Sequence, residues 1–261
     1  MPQNNPTRII NLGSGSKGNS TLICHGEKIL MVDCGFSRKQ IMLRMSAMGL
    51  SHRDVCGILI THEHGDHIKG ARLCSQSMDA PVLATSGTIS GGGLSLLNNQ
   101  ALGYSSRVDH DGFEITTLKV SHDTREPCAF LVEVAGVRSL FVTDVGTIQK
   151  LDISLMTGID YLYVEANHDE MMLRHGPYPA FLKTRISGVG GHLNNQQSGI
   201  LIKSLAEQSP NLRAIMLGHL SDKNNEPEKA LSTAREYAGL LAGVSWDVAR
   251  QDEPREMKGR P

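Results

Sequence analysis

The 261-residue sequence lacks the features of membrane, secreted and strongly basic proteins. No segment approaches the roughly 18 uninterrupted apolar residues of a membrane-spanning helix. Residues 1–7 have neither the basic start nor the apolar stretch of a secretory signal. The formal net charge is only −1, so the chain has no general attraction for nucleic acid. No membrane association is therefore expected, and a polyanionic partner must be held by a local site.

Cysteine is scarce and follows no pattern. The five cysteines are an odd number and include no C-x-x-C pair, so neither a disulfide framework nor a zinc knuckle is expected. A reducing, cytoplasmic environment suits the chain best. The cysteines are Cys24, Cys34, Cys56, Cys74 and Cys128.

The apolar content is sufficient for a core. Apolar residues make up 39% of the chain and charged residues 20%, which is typical of globular rather than disordered proteins. No repeat or change in composition marks a linker, so residues 1–261 are predicted to form a single domain. The charged tail at residues 251–261 is predicted to fray.

Strands and helices follow one another in two similar series. Short runs rich in Ile, Leu and Val predict strands, and apolar residues at helical spacing predict helices. Two such halves allow two sheets to pack face to face with helices outside, an α/β architecture. The predicted strands cover residues 8–12, 21–24, 28–33, 55–60, 81–84, 113–120, 129–134, 139–143, 161–165 and 212–217. The predicted helices cover residues 37–49, 70–77 and about 196–207, and the Gly-rich residues 87–93 are predicted to open one more.

The run Thr61-His62-Glu63-His64-Gly65-Asp66-His67 carries the strongest chemical signal. Histidine nitrogens and carboxylate oxygens suit zinc or manganese, and two such ions need about six or seven ligands in one pocket. His62 and His64 lie two apart at the end of a predicted strand, so they point to the same side. Asp66 and His67 follow where the chain turns. A His-rich surface loop is the alternative, but four such groups in this order favour a metal site.

Three more polar residues follow apolar runs elsewhere in the chain. They are His122, Asp144 and His219. Because rigid strand ends hold ligands better than loops do, these three are predicted to complete the metal site.

These residues together resemble the metallo-β-lactamase superfamily. The resemblance covers about residues 8–222, and its motifs occur in a specific order. It implies an αββα four-layer sandwich with the metals at the edge of the two sheets. The motifs are His62-x-His64-x-Asp66-His67, the Asp33 of Val-Asp-Cys-Gly, His122, the Asp144 of Thr-Asp-Val-Gly, and Gly-His219-Leu-Ser.

The resemblance also implies a role for each residue. Two divalent ions are expected, with zinc or manganese favoured and iron also compatible with the ligands. Asp33 is expected to hold the ligand loop from behind without binding metal. The implied ligands are His62, His64 and His122 for one ion, Asp66, His67 and His219 for the other, and Asp144 as the bridge between them.

The second residue after His62 bears on the type of chemistry. The oxygen-reducing diiron branch of the superfamily carries a carboxylate there, whereas this chain has His64. Glu63 lies one place too early and points to the other side of an extended segment. Hydrolysis is therefore favoured over redox chemistry.

Two further histidines favour phosphoryl chemistry. Gly191-His192 before a helix resembles phosphodiesterase members in which this histidine contacts phosphate, and Glu165-Ala-Asn-His168-Asp is similar to an element of the tRNA-processing branch. The simpler interpretation makes His168 a loop residue and His192 a neighbour of a helix N-cap. Taken together, His192 and His168 are predicted to act in catalysis with Asp66.

Residues 13–20, Gly-Ser-Gly-Ser-Lys-Gly-Asn-Ser, come close to a P-loop. That pattern needs Lys where Asn19 stands, and a strand rather than a helix follows, so ATP binding is not expected. Two interpretations remain open: a tight turn, or a backbone nest for the anionic end of a substrate. In the second, Ser14, Gly15, Ser16 and Asn19 contact substrate phosphate together with His192.

The whole set of motifs is similar to the bacterial YycJ/WalJ-like group, whose members are described as DNA exonucleases that degrade from a 5′ end. The expected nucleophile is a hydroxide bridging two metals, because the ions lower the pKa of water from about 15.7 to 7. The alternatives are a hydrolase of a thioester, lactone or lactam, an RNA-processing nuclease, and a structural member without metals. The oligomeric state is left open.

A nucleic acid strand also needs a surface that grips it. Residues 176–185 interleave the rings of Tyr178 and Phe181 with the cations of Lys183 and Arg185, as a surface that stacks on single strands does. Ordinary packing of Phe181 is the alternative.

Overall fold

In the computed structural model, which describes residues 6–259, the apolar runs form two β-sheets with helices outside. The first part of the chain supplies β1 (Arg8–Gly13), β2 (Ser20–His25), β3 (Lys28–Val32), α1 (Arg38–Ala47), β4 (Val55–Leu59), α2 (Gly65–Ile68), α3 (Ala71–Met78), β5 (Val82–Thr85), α4 (Ser86–Gly91) and β6 (Asn99–Leu102). The second part supplies β7 (Arg107–His110), β8 (Phe113–Lys119), β9 (Cys128–Val134), β10 (Val137–Val142), β11 (Tyr161–Glu165), α5 (Glu170–His175), α6 (Ala180–Ser187), α7 (Asn195–Ala206), β12 (Ala214–Gly218), α8 (Pro227–Ala238), β13 (Ser245–Val248) and β14 (Arg255–Glu256). Short 3₁₀ helices lie at His52–Asp54, Ile148–Lys150 and Ile153–Leu155.

Each sheet has seven strands within residues 6–259. The first has the order β14-β1-β2-β3-β4-β5-β6, and the second has the order β13-β12-β11-β10-β9-β8-β7. Strands β3 to β6 are parallel neighbours in the first sheet, as are β10 to β13 in the second. The carboxyl ends of parallel strands meet at one edge of a sheet, so the polar residues that follow them gather there.

Three apolar cores separate the layers. Between the sheets, Leu30 of the first packs in one core with Phe130 of the second. The outer face of the first sheet packs against α1, α3 and α4, where Ile41 is fully buried. The outer face of the second sheet packs against α7 and α8, which bury Leu201 and Ala234. This α/β arrangement is an αββα four-layer sandwich and confirms the predicted fold class.

Helix α7 begins at a fixed point beside the candidate site. The Asn194 side chain accepts a hydrogen bond from the Gln197 N–H, and the Gln197 side chain accepts one from the Asn194 N–H. This reciprocal capping box satisfies two amide groups that the helix itself leaves unpaired. On the first turn, Ser198 Oγ donates to the carbonyl of Glu165 at the end of β11. The start of the helix is thereby tied to the sheet edge.

The predicted elements are present, and the differences have local causes. Strands β6, β7, β13 and β14 are short and at least half polar, so they lack the apolar run that marks the equally short β5. The helix predicted to open in the Gly-rich residues 87–93 is present as α4, which begins one residue earlier at Ser86 and ends at Gly91, with Gly93 left-handed at φ +64°. None of the helices within residues 6–259 has the length and apolar character needed to cross a membrane. That the whole chain forms one domain stays a prediction.

The carboxyl-terminal tail is ordered, so the prediction that it frays is wrong for residues 251–259. Strand β14 pairs with β1, with Glu256 opposite Ile10. Met257 is 4% exposed within the core between the sheets. Gln251 accepts a hydrogen bond from the Lys17 N–H at 2.8 Å. The charged composition suggested solvent, but these long-range contacts hold the tail. Residues 260 and 261 lie outside the described residues.

We expect Met257→Ala to lower the free energy of unfolding by about 2 kcal/mol, because it leaves a cavity in the core between the sheets. Met171→Ala is the matched control, since Met171 is 53% exposed and its loss should change stability by less than about 0.5 kcal/mol. Urea denaturation of both variants measures the difference. Equal stabilities would mean that the tail does not pack in solution.

Candidate metal centre

The seven predicted ligands lie together at one edge of the sandwich. His62 and His64 follow β4, while Asp66 and His67 lie on the single turn of α2. His122 comes from the loop after β8, Asp144 from the end of β10, and His219 directly after β12. Both sheets therefore contribute to one site, which no single segment of the chain could form.

Their side chains form two groups. In the first, the ligand atoms of His62, His64 and His122 lie within 4.8 Å of one another, with His64 Nδ1 at 3.2 Å from His122 Nε2. In the second, Asp66 Oδ2 lies 3.6 Å from His67 Nε2 and 3.3 Å from His219 Nε2. These are the groups that the family resemblance implies for two ions. That each group binds an ion stays a prediction.

Asp144 lies between the two groups. Its Oδ1 is 3.7 Å from His122 Nε2 and 3.5 Å from His219 Nε2, and its Oδ2 is 3.2 Å from His67 Nε2. The carboxylate is buried, with 2% of the side chain exposed. It is therefore placed to reach both groups at once.

The donor atoms fit divalent cations. His62 Nε2 and Asp144 Oδ2 are buried and make no hydrogen bond within residues 6–259. Burial, reinforced by the neighbouring His67, lowers the pKa of His62 well below its ordinary value, so its ring is neutral. A neutral ring nitrogen and a carboxylate oxygen that are buried without a hydrogen bond are the atoms that a metal needs. His and Asp clusters able to hold divalent ions are thus present.

The buried carboxylates and histidines of the site shift one another's pKa values. Burial acts against ionisation of Asp144, but His219, His67 and His62 outweigh it and hold its pKa well below the ordinary value. Burial likewise opposes charge on His219, but Asp144 and Asp66 raise its pKa to about 9. The buried carboxylates therefore favour positive charge at this place, which divalent cations would supply.

Four of the rings are held by their second nitrogen. Such contacts orient a ligating imidazole and fix which nitrogen faces the metal. The contacts are His62 Nδ1 to Thr61 Oγ1 at 3.0 Å, His67 Nδ1 to Asp33 Oδ2 at 2.8 Å, His122 Nδ1 to Gly191 O at 3.0 Å, and His219 Nδ1 to Asn167 Nδ2 at 3.2 Å.

Asp33 lies behind the ligands, where the sequence predicts it. Its Oδ1 accepts hydrogen bonds from the N–H and the hydroxyl of Thr61, while Oδ2 faces His67. The neighbouring Gly35 lets the chain pass close to α2, because a Cβ there would lie 1.7 Å from the carbonyl oxygen of Asp66. Asp33 thus connects the two halves of the ligand run.

Three site residues at strand ends have left-handed backbones. The φ angles are 59° for Asp33, 56° for Asp144 and 55° for His219. Residues other than glycine adopt this conformation at a cost of about 1–3 kcal/mol and keep it only where surrounding contacts demand it. The turns aim each side chain into the site.

His192 lies in the site and is held by a residue that the sequence reasoning did not include among the site residues. His192 Nδ1 is 3.1 Å from Glu165 Oε2, and Glu165 Oε1 accepts hydrogen bonds from the N–H groups of Val145 and Leu193. Glu165 is fully buried at the end of β11. The signal was present, because Glu165 ends an apolar run just as Asp144 does.

His168 lies beside His192 but does not line the cavity, and its catalytic role stays a prediction. It is 2% exposed and is not among the residues that line the cavity. Burial and the neighbouring His192 lower its pKa to about 4. A buried, neutral ring next to His192 is placed to support that neighbour.

The Gly-Ser turn is close to the site, but its groups are engaged with the protein. Ser14 Oγ accepts from the hydroxyl of Tyr163 and from the His219 N–H, and it donates to Asn19 Oδ1. The Gly15 N–H also donates to Asn19 Oδ1. The predicted phosphate contacts of Ser14, Gly15 and Asn19 are therefore corrected: these groups position ligands. Ser16 alone of the four lines the cavity.

The ligands open into a cavity of about 310 Å³. Its far wall comes from α6 and the preceding loop, with Tyr178, Leu182 and Arg185. Arg185 Nε donates to Asp123 Oδ2 at 2.6 Å, and Asp123 Oδ1 lies 3.6 Å from His64 Nε2. Asp123 was missed because it lies in a loop without periodicity.

The fold and the ligand set define a metal-dependent hydrolase built on an αββα sandwich. The family model described as the metallo-beta-lactamase superfamily matches residues 13–147. The metallo-beta-lactamase fold protein YhfI from Bacillus subtilis has the same fold at a TM-score of 0.71 and 17% identity, covering 97% of this chain and 99% of that one.

Two relatives identify the group within the superfamily to which the chain belongs. The chain is 30% identical to exodeoxyribonuclease YycJ of Bacillus anthracis over 95% of its own length and 96% of the relative. It is 32% identical to exodeoxyribonuclease WalJ of Streptococcus pneumoniae over 92% of each. The chain belongs to the metallo-β-lactamase superfamily and, within it, to the YycJ/WalJ-like group.

We expect Asp144→Ala to lower the metal content per chain and to abolish activity at the same time, because Asp144 faces both ligand groups. Asp109→Ala, on exposed β7, is the control and should keep both ions. Elemental analysis after dialysis measures the content. An Asp144→Ala protein with full metal content would contradict the assigned role.

Proposed function

We propose that this protein is a dinuclear metal-dependent phosphodiesterase that degrades DNA from 5′ ends. The observation that carries the proposal is the pair of ligand groups around Asp144, which opens into a cavity beside His192. The proposal is further supported by the two relatives named exodeoxyribonuclease, which align along more than nine-tenths of the chain.

The ligands have separate tasks. His62, His64 and His122 would hold one ion, and the remaining ligands listed above would hold the second, with Asp144 shared. Divalent ions at these positions, with zinc or manganese favoured and iron compatible, would supply Lewis acidity that lowers the pKa of water from about 15.7 to 7 and neutralises phosphate charge.

The chain's own residues position the phosphate. His192 Nδ1 is held by Glu165, and His192 Nε2 has no partner within residues 6–259 and borders the cavity. That nitrogen can donate a hydrogen bond, or a proton, to a phosphate oxygen as negative charge develops. Asp66 also borders the cavity and can accept a hydrogen bond from the attacking water.

The cavity walls suit a nucleotide. Arg185 offers a guanidinium to a phosphate, and its contact with Asp123 fixes the direction of the side chain. Tyr178 offers a ring on which a base can stack. Phe181 is 75% exposed on α6, so ordinary core packing does not explain it. A cytoplasmic location, where such DNA would be available, is part of the proposal, and the free cysteines are compatible with it.

A substrate panel tests the reaction. The metal-loaded protein should shorten 5′-labelled single- or double-stranded DNA from the labelled end, and treatment with a chelator should stop the reaction. RNA of the same sequence and a thioester are the competing substrates. Hydrolysis of the thioester without cleavage of any nucleic acid would overturn the proposal in favour of a small-molecule hydrolase.

Arg185 and Lys183 should differ in their effect on DNA cleavage. Arg185→Gln should lower kcat/KM for single-stranded DNA by about 10-fold. One charge-assisted phosphate contact is worth about 1.5–3 kcal/mol, and the lower end of that range corresponds to about this loss. Lys183→Gln is the matched control and should change little, since Lys183 Nζ donates to the carbonyl of Arg174 and does not line the cavity. An equal loss of kcat/KM in both variants would show that α6 acts through its total positive charge and not through a specific contact of Arg185.

A further inference from the structure

A second, open groove lies next to the metal cavity. It has a volume of about 430 Å³ and is bordered by the end of β8, the loop that follows it and the start of α4. The two spaces share His122, which lines both. The ridge between them is the segment from Ser121 to Arg125. No part of the reaction described above uses this groove.

Two cations line the groove and are free of acidic partners. Lys119 Nζ lies 5.6 Å from the ring centroid of Tyr104, and Arg125 Nη1 donates to the neutral hydroxyl of Ser90. Within residues 6–259, neither cation has a carboxylate oxygen within the 4.0 Å of an ion pair. Two such cations on the wall of one open groove lie close enough together to act on a single polyanionic ligand.

Within the described part of the chain, the carboxylates next to the groove accept hydrogen bonds from backbone N–H groups and form no ion pair with the two cations. Glu63 Oε1 accepts a hydrogen bond from the Arg125 N–H at 2.8 Å, which fixes the backbone of the ridge. Glu126 also lines the groove, but its Oε2 accepts from the Gly87 N–H at the start of α4. The cationic ends of Lys119 and Arg125 thus remain available to a ligand.

The size of the metal cavity limits what it can hold. About 310 Å³ is the lower end of the range for small-molecule sites, so it has room for roughly one nucleotide and none for a strand. An exonuclease substrate has its scissile phosphate next to one terminal nucleotide, and the rest of the strand must leave the cavity across its rim. The groove that shares His122 with the cavity lies next to it and offers one such way out.

We propose that this groove, lined by Lys119, Arg125 and Tyr104, binds the backbone of the nucleic acid strand beyond the scissile phosphate. Lys119 and Arg125 contact two successive phosphates, and the Tyr104 ring supports the Lys119 ammonium group from below. The inference rests on the proposed nuclease function and adds to it the path by which a long single strand leaves the metal centre.

The test compares a long and a short substrate. The metal-loaded Lys119→Gln/Arg125→Gln protein is assayed on single-stranded DNA of about 20 nucleotides and on a dinucleotide, which cannot reach the groove. We expect the ratio of kcat/KM for the long strand to that for the dinucleotide to fall about 10-fold, and the slope of log kcat/KM against log salt for the long strand to become shallower by about 1.4, which is two contacts at 0.7 each.

Two controls separate charge at this place from other effects. Arg53→Gln/Lys203→Gln removes the same charge from exposed positions on the 3₁₀ helix before β4 and on α7, and should change neither quantity. Ser90→Ala removes the partner of Arg125 without changing charge, and the salt slope should stay as in the wild type.

The outcomes distinguish this inference from the proposed function. If the wild-type protein cleaves both DNA substrates and the groove variant keeps the wild-type ratio and salt slope, the groove is not the path of the strand, although the nuclease function stands. If the wild-type protein cleaves the thioester and neither DNA substrate, the nuclease function and this inference both fail.

Discussion

The structure depends above all on the buried carboxylate of Asp144. A buried charge costs several kcal/mol unless other groups compensate it. Here the compensation comes from histidines on both sides, which hold the pKa of Asp144 well below its ordinary value. Because its Oδ1 lies near His122 of one group and near His219 of the other, one residue from the second sheet brings the ligands of both sheets into a single site. The contacts that orient those histidines therefore also stabilise the charge of Asp144.

The backbone at the strand ends and the hydrogen bonds behind the imidazole rings orient the ligand side chains. The left-handed backbones of Asp33, Asp144 and His219 store strain that only a well-packed edge can support. Asp33, Thr61 and Asn167 then hold the outer nitrogens of the rings, so each ligand has little freedom left to lose when a metal binds. The same principle applies to His192, whose direction depends on the buried Glu165.

A chain of hydrogen bonds extends this support to the ends of the sequence. Gln251 of the tail holds the Gly-Ser turn through the N–H of Lys17 and the carbonyl of Gly18. Within that turn, Ser14 accepts from the His219 N–H at 2.7 Å, across 205 residues of sequence. The tail therefore contributes to the geometry of a metal ligand, although it carries none itself.

The sequence by itself predicted the candidate ligands and two sheets with helices outside, because both predictions rest on local patterns. A polar residue after an apolar run predicts a strand end, and the run from His62 to His67 needs no distant partner to be recognised. Only the tertiary structure decided which groups do what. It paired Glu165 with His192, buried His168, engaged Ser14 and Asn19 with ligands, ordered the tail, and brought Lys119 and Arg125 into one groove. These are contacts between residues far apart in the chain, and no local pattern of apolar and polar residues records them.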